Sequence, residues 1–123
     1  MKIIVGLSLV IVSANGAVAF TKQQESVLSQ IGGATTASRI CDGMTLNRME
    51  SYKMIVEAGI LDSTTGKVPS EANAQINQGV KLLVSLLKAP KDREGLCLVL
   101  WVQYGPDGGG PQGGHRGLLK ATP

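Results

Sequence analysis

Two cysteines, one histidine and nine carboxylates are the residues of this chain that most invite a chemical reading. Cys41 and Cys97 stand too far apart for a Cys-x-x-Cys redox motif or for close zinc-ligand spacing. His115 lies beside Arg116 with no carboxylate or cysteine partner at ligand spacing, so it reads as a solvated side chain rather than a metal ligand or a general base. A Ser-His-Asp arrangement would have to take its base from that same Gly-rich stretch, and a Cys-His arrangement would need a free thiol. Asp92 with Glu94, and Glu50 with Glu57, fall on polar turns and solvated faces. Gly66-Lys67 is no phosphate loop, because six residues separate Gly59 from Gly66 and Val68 follows the lysine where a hydroxyl is required. No catalytic, cofactor or metal site is expected, and the chain is not expected to be an enzyme.

What remains is oxidation of two thiols, which depends on compartment. Lys2, the apolar run Ile3 to Val12 and the small residues Ala17-Val18-Ala19 have the pattern of a secretory leader, with cleavage before Phe20. The run is about half the roughly 20 residues that a transmembrane helix needs, so no stable membrane anchor is expected after cleavage. The expected location is exported, periplasmic or secreted. Export favours a Cys41–Cys97 disulfide over the alternative of two buried free thiols. Closing a loop of about 57 residues would contribute roughly 4 kcal/mol in the chain-entropy description. That is a large fraction of the ~5–15 kcal/mol stability of an ordinary domain.

Removing residues 1–19 leaves a chain of one-domain size. Charge says little about partners. Twelve Lys and Arg oppose nine Asp and Glu, without clustering, and only Phe20, Tyr52, Trp101 and Tyr104 are aromatic. A basic stripe with stacking aromatics is therefore missing, and no nucleic-acid partner is expected. Acidification would neutralise carboxylates whose reference pKa values lie near 4 and would leave the chain strongly cationic.

The elements that would position any site are helical. Thr21 and Gln24 form a capping box for a first helix that Gly32-Gly33 should stop. Thr45 is the expected N-cap of a second helix, with Met44 stapled on Met49 and an apolar face of Leu46, Met49, Ile55 and Val56. Gly59 is placed as its left-handed terminus, with Ile60 folding back on Ile55. Met44, Met49 and Met54 read as core filler rather than an adaptable grip, since their spacing of five does not give one stripe.

A third helix begins near Ser70 and ends at Pro90, with Ile76, Val80, Leu83 and Leu87 recurring at four, three and four. Leu82, Val84 and Leu86 broaden that face. Ile76, Val80, Leu83 and Leu87 are the candidate apolar binding face. The run Leu96 to Val102 is read as part of a fourth helix ending at Gly105-Pro106; a buried strand is the alternative. Residues 105–123, with seven glycines and three prolines, are expected to be a disordered tail. The fold class is thus all-α: a small bundle of about four helices over residues 20–104, one disulfide and a flexible Gly-rich C-terminal tail.

This plan resembles small exported single-disulfide helical bacterial proteins, among them the HdeA-like periplasmic acid-stress chaperones. The resemblance rests on Ile40-Cys41-Asp42 before a helix and on Cys97 near the start of the last one. The flanks Arg39-Ile40 and Gly43-Met44 differ from that family's. Tyr104 to Gly108 and Gly117-Leu118-Leu119 also resemble exported alphaproteobacterial proteins without an assigned activity. The apolar face within residues 76–87 and the charge gained on acidification, in line with that resemblance, point to a stress-related, chaperone-like binding protein that presents this face to unfolded periplasmic proteins. The alternative is a carrier holding an apolar ligand in an interhelical cavity, and a homodimer is left open.

Overall fold

A computed structural model of the chain describes residues 19–111 and 113–123. The expected leader lies outside them except for Ala19. Four helices and one disulfide make up most of the fold: α1 (Lys22–Ile40), α2 (Arg48–Glu57), α3 (Ser70–Ser85) and α4 (Pro90–Tyr104). A short antiparallel pair, β1 (Met44–Leu46) and β2 (Leu119–Ala121), joins the chain between α1 and α2 to the C-terminus, with Leu46 opposite Leu119.

Helix α1 is the central element, in contact with each of the other three helices and with both strands. Its start follows the local signal: Thr21 accepts from the Gln24 amide, and the Gln24 side chain accepts from the Thr21 amide. Its end does not. Gly32-Gly33 does not stop the helix, which runs on to Ile40. The two glycines are buried where neighbouring elements come closest, with Ile76 of α3 against Gly32 and Tyr104 of α4 against Gly33. The small residues Ala34 and Ala37 continue this buried surface. Thr36, also buried, returns its hydroxyl proton to the Gly32 carbonyl at 2.8 Å. The tertiary contact of a small-residue face thus outweighs the weak helix propensity of paired glycines.

The second helix begins later than expected. Thr45 belongs to β1, and Asn47 caps α2 by accepting from the Glu50 amide at 3.2 Å. Met49 is 85 % exposed, so it makes no staple with Met44, and Val56 is exposed as well; Ile55 is buried as expected, with Met54 beside it. The other terminus agrees with the local reading. Gly59 has φ +71°, and the Ile60 amide donates to the Ile55 carbonyl at 3.1 Å. The Gln24 amide group reaches across to the Ala58 carbonyl, tying the first turn of α1 to the last carbonyls of α2.

Helix α3 ends at Ser85, before Pro90. Pro90 opens α4 instead, where its missing N–H costs nothing because first-turn donors have no intrahelical acceptor. Asp92 accepts from the Lys88 and Ala89 amides at 2.8 and 2.9 Å, fixing that start. The run Leu96 to Val102 is helical.

The C-terminal segment is packed, against the expectation of a flexible tail. Leu118 and Leu119 are fully buried. The His115 amide donates to the Gln103 carbonyl and the Gly117 amide to the Gly105 carbonyl, both at 2.9 Å, so the segment folds back over the end of α4. Its glycines permit this approach: Gly114 has φ +90°, and a β-carbon there would collide with the Gln103 carbonyl. Beyond it, Asn47 donates to Leu118 and Thr122 to Gly43.

Candidate functional site

The Cys41–Cys97 bridge holds the C-cap of α1 against α4, with a Cα–Cα distance of 5.7 Å. Cys41 is buried within the core, and Cys97 and Trp101 pack on that core from α4. Among the described residues there is no free cysteine, and no cluster of three metal-ligating side chains is present. No described helix is long and apolar enough to cross a membrane.

The candidate apolar face of the third helix is divided by the fold. Ile76 and Val80 are buried, and Leu83 and Leu87 only partly so. Leu87 borders a separate depression with Asp42, Arg93 and Glu94 at the turn between α3 and α4. Leu82 and Leu86, 64 % and 63 % exposed, face solvent. On α4, Leu98, Val99 and Val102 are exposed as well. Burial thus splits the leucine-rich segment into a core half toward its N-terminus and a wet half toward its C-terminus.

Ile76 contributes instead to an open cleft of about 670 Å³ formed by α1, β1, α2 and α3. That volume lies within the roughly 300–1,000 Å³ common for small-molecule sites. Its apolar lining comes from Ile31 on α1, Ile55 on α2 and Ile76 on α3, with Leu46 and Met44 from β1 and Val68 from the loop before α3. Ile31, Ile55 and Ile76 are also core residues, so the cleft floor is supported from beneath by the packed interior. Its polar lining is supplied by hydroxyls, by Asn73 and Asn77, by the half-exposed Tyr52 and by Arg39 and Arg48. No Asp or Glu lines it.

The sequence pattern could not reveal this cleft. Ile31, Leu46, Ile55 and Ile76 come from four elements, and β1 exists only because β2 pairs with it. A signal was present in Ile55 and Ile76, each on the expected apolar face of its own helix, but not in their common position with Ile31.

A second feature absent from the sequence reading is a close pair, His115 Nε2 to Glu50 Oε2 at 2.6 Å. Both side chains are partly buried. His115 is therefore not a solvated tail residue; it fastens the returning segment to α2. Burial raises the Tyr104 phenol above its ordinary value, and amides of Thr64 and Thr65 hold the exposed Asp62 carboxyl below its own. Neither of them lines the cleft.

Comparisons of the chain with protein-family models, with curated proteins and with solved structures find no match.

Proposed function

We propose that this chain is an exported, non-enzymatic binding protein that carries a small apolar ligand in the cleft between α1, β1, α2 and α3. The observation that carries this reading is the open cleft itself, in which the partly exposed Met44, Leu46 and Val68 border a floor of the packed core residues Ile31, Ile55 and Ile76, within a volume suited to a small molecule. The partly exposed apolar wall of Met44, Leu46 and Val68 gains by covering, at roughly 25 cal/mol for each Å² of apolar surface withdrawn from water. Export is supported by the leader-like pattern of residues 1–19 and by the disulfide, which oxidising compartments favour. Native mass spectrometry of the protein purified from its own host tests the carrier role. The expected result is a bound mass that extraction into organic solvent releases and that Val68→Trp, which adds bulk at the partly exposed wall of the cleft, abolishes. A clean unliganded mass, together with no uptake of added apolar ligands, would remove this reading.

A second reading is a chaperone-like protein of the acid-stress kind, capturing unfolded clients on the exposed apolar residues Leu82, Leu86, Leu98, Val99 and Val102. Exposed apolar surface of this sort supports client or partner binding. Light scattering by an aggregating client, followed from neutral pH to about pH 3, where most carboxylates are protonated, tests it. Protection that Leu82→Lys and Leu98→Lys remove is expected; no protection at any pH rejects it.

A further inference from the structure

We infer that the cleft selects an anionic amphiphile: a single apolar chain ending in a carboxylate or a phosphate, with the chain against Met44, Leu46 and Val68 over the isoleucine floor and the head toward Arg39 and Arg48. The inference rests on the carrier reading and adds the chemistry of the head.

Charge distribution around the cleft is one-sided. Arg39 and Arg48 line it, and no carboxylate does. Among the described residues neither guanidinium has an ion-pair partner, although nine acids are available in the chain. Those acids are placed elsewhere. Glu50 is held by His115, Asp42 and Glu94 border the depression at the α3–α4 turn, and Asp62 and Glu71 border another beside the loop after α2. Both arginines are exposed, so burial of their stems does not explain them.

Helix electrostatics explain one of the two. Arg39 lies in the last turn of α1, where the dipole favours a cation. Arg48 is the first residue of α2, at the end where the dipole disfavours one. The α2 dipole therefore gives Arg48 no stabilisation, and an anion in the cleft would.

A guanidinium presents paired donors to the two oxygens of a carboxylate or phosphate, stronger than neutral hydrogen bonds. The hydroxyls of Thr35, Ser38, Thr45 and Ser51 on the same wall add donors without adding negative charge. Thr45 is engaged with Thr122 and Ser38 donates to the Thr35 carbonyl, both at 2.7 Å, which leaves the Thr35 and Ser51 hydroxyls as the better placed partners. A cationic head would meet two like charges and no acid. An uncharged head would leave the arginines as they are.

Isothermal titration of the disulfide-bonded full chain with four probes of one chain length, below their micellar concentrations, tests this: dodecanoate, dodecyl phosphate, dodecanol and dodecylamine. The expected order is dodecanoate and dodecyl phosphate tightest, dodecanol at least about tenfold weaker, and dodecylamine weakest. Whichever of the two anions binds more tightly identifies the head as carboxylate or phosphate. Arg39→Gln and Arg48→Gln are each expected to weaken dodecanoate about tenfold and leave dodecanol unchanged, a split that loss of fold would not give. Equal binding of dodecanoate and dodecanol, insensitive to both substitutions, would overturn the selectivity and leave the apolar carrier standing. No binding of any probe would overturn both. Dodecanoate binding that survives Val68→Trp would place it outside the cleft and overturn the assignment.

Discussion

A β-carbon placed on Gly32 of α1 would stand 3.3 Å from the Ile76 carbonyl oxygen of α3, closer than the backbone of a packed neighbour readily yields. Two helices thus meet at a position where only glycine leaves room. Gly32→Ala would gain the ~0.5–1 kcal/mol that alanine normally contributes inside a helix, but it meets overpacking of about 1–3 kcal/mol. The expected sum is a net loss. Gly95, within α4, has nothing within 4 Å of the corresponding position, so Gly95→Ala is expected to stabilise. Urea unfolding of both variants checks the prediction through the opposite signs of their midpoint shifts.

The Cys41–Cys97 bridge ties the end of the central helix to α4 across most of the domain. Cys97→Ser should lower stability by about 2–5 kcal/mol, the usual cost of losing a native disulfide. Thermal melts of wild type and variant under oxidising conditions provide the measurement. Under reducing conditions the two midpoints should converge, leaving only the small difference between a thiol and a hydroxyl.

Leu119 has no exposed surface, although only four residues of the sequence follow it. Leu119→Ala is therefore expected to cost about 2–5 kcal/mol, as for other buried leucines. An unstructured tail would give a change within about 0.5 kcal/mol. Amide exchange provides a second readout, with Asn47 and Thr122 protected because each donates to the backbone of the opposing segment.

Tyr104 makes stability pH-dependent at the alkaline end. Burial raises its phenol in the folded chain, so folding favours the neutral form. The contribution is complete below the unfolded value near 10 and is lost as pH rises through the higher folded value. Wild type should therefore lose stability above about pH 10 more steeply than Tyr104→Phe. Denaturant midpoints of both proteins from pH 8 to 11 test this, and parallel slopes would refute it.

How legible the molecule is from its residues depends on the range of the signal. Thr21 with Gln24, and Gly59 with Ile60, are read correctly because each acts within a turn of its own position. The helical character of Leu96 to Val102 follows from segment length and a following stop. Thr45 misleads: it has the chemistry of a cap, but its backbone pairs with Lys120 and its hydroxyl with Thr122. Pro90 misleads differently, since proline both breaks a helix and starts one well.

The sequence by itself determined a mostly helical domain, with one cysteine pair able to close it and no metal-ligand or phosphate-loop pattern among its motifs. Only the tertiary structure decided what the glycines do. In α1 they admit neighbouring helices to close approach, and after α4 they let the chain turn back so that Leu118 and Leu119 can be buried. The cleft too was decided by the tertiary fold, because its three isoleucines and two arginines come from three different helices. Glycine carries no side chain whose pattern records a partner. Its meaning lies in what approaches it, and that contact is made by residues dozens of positions away.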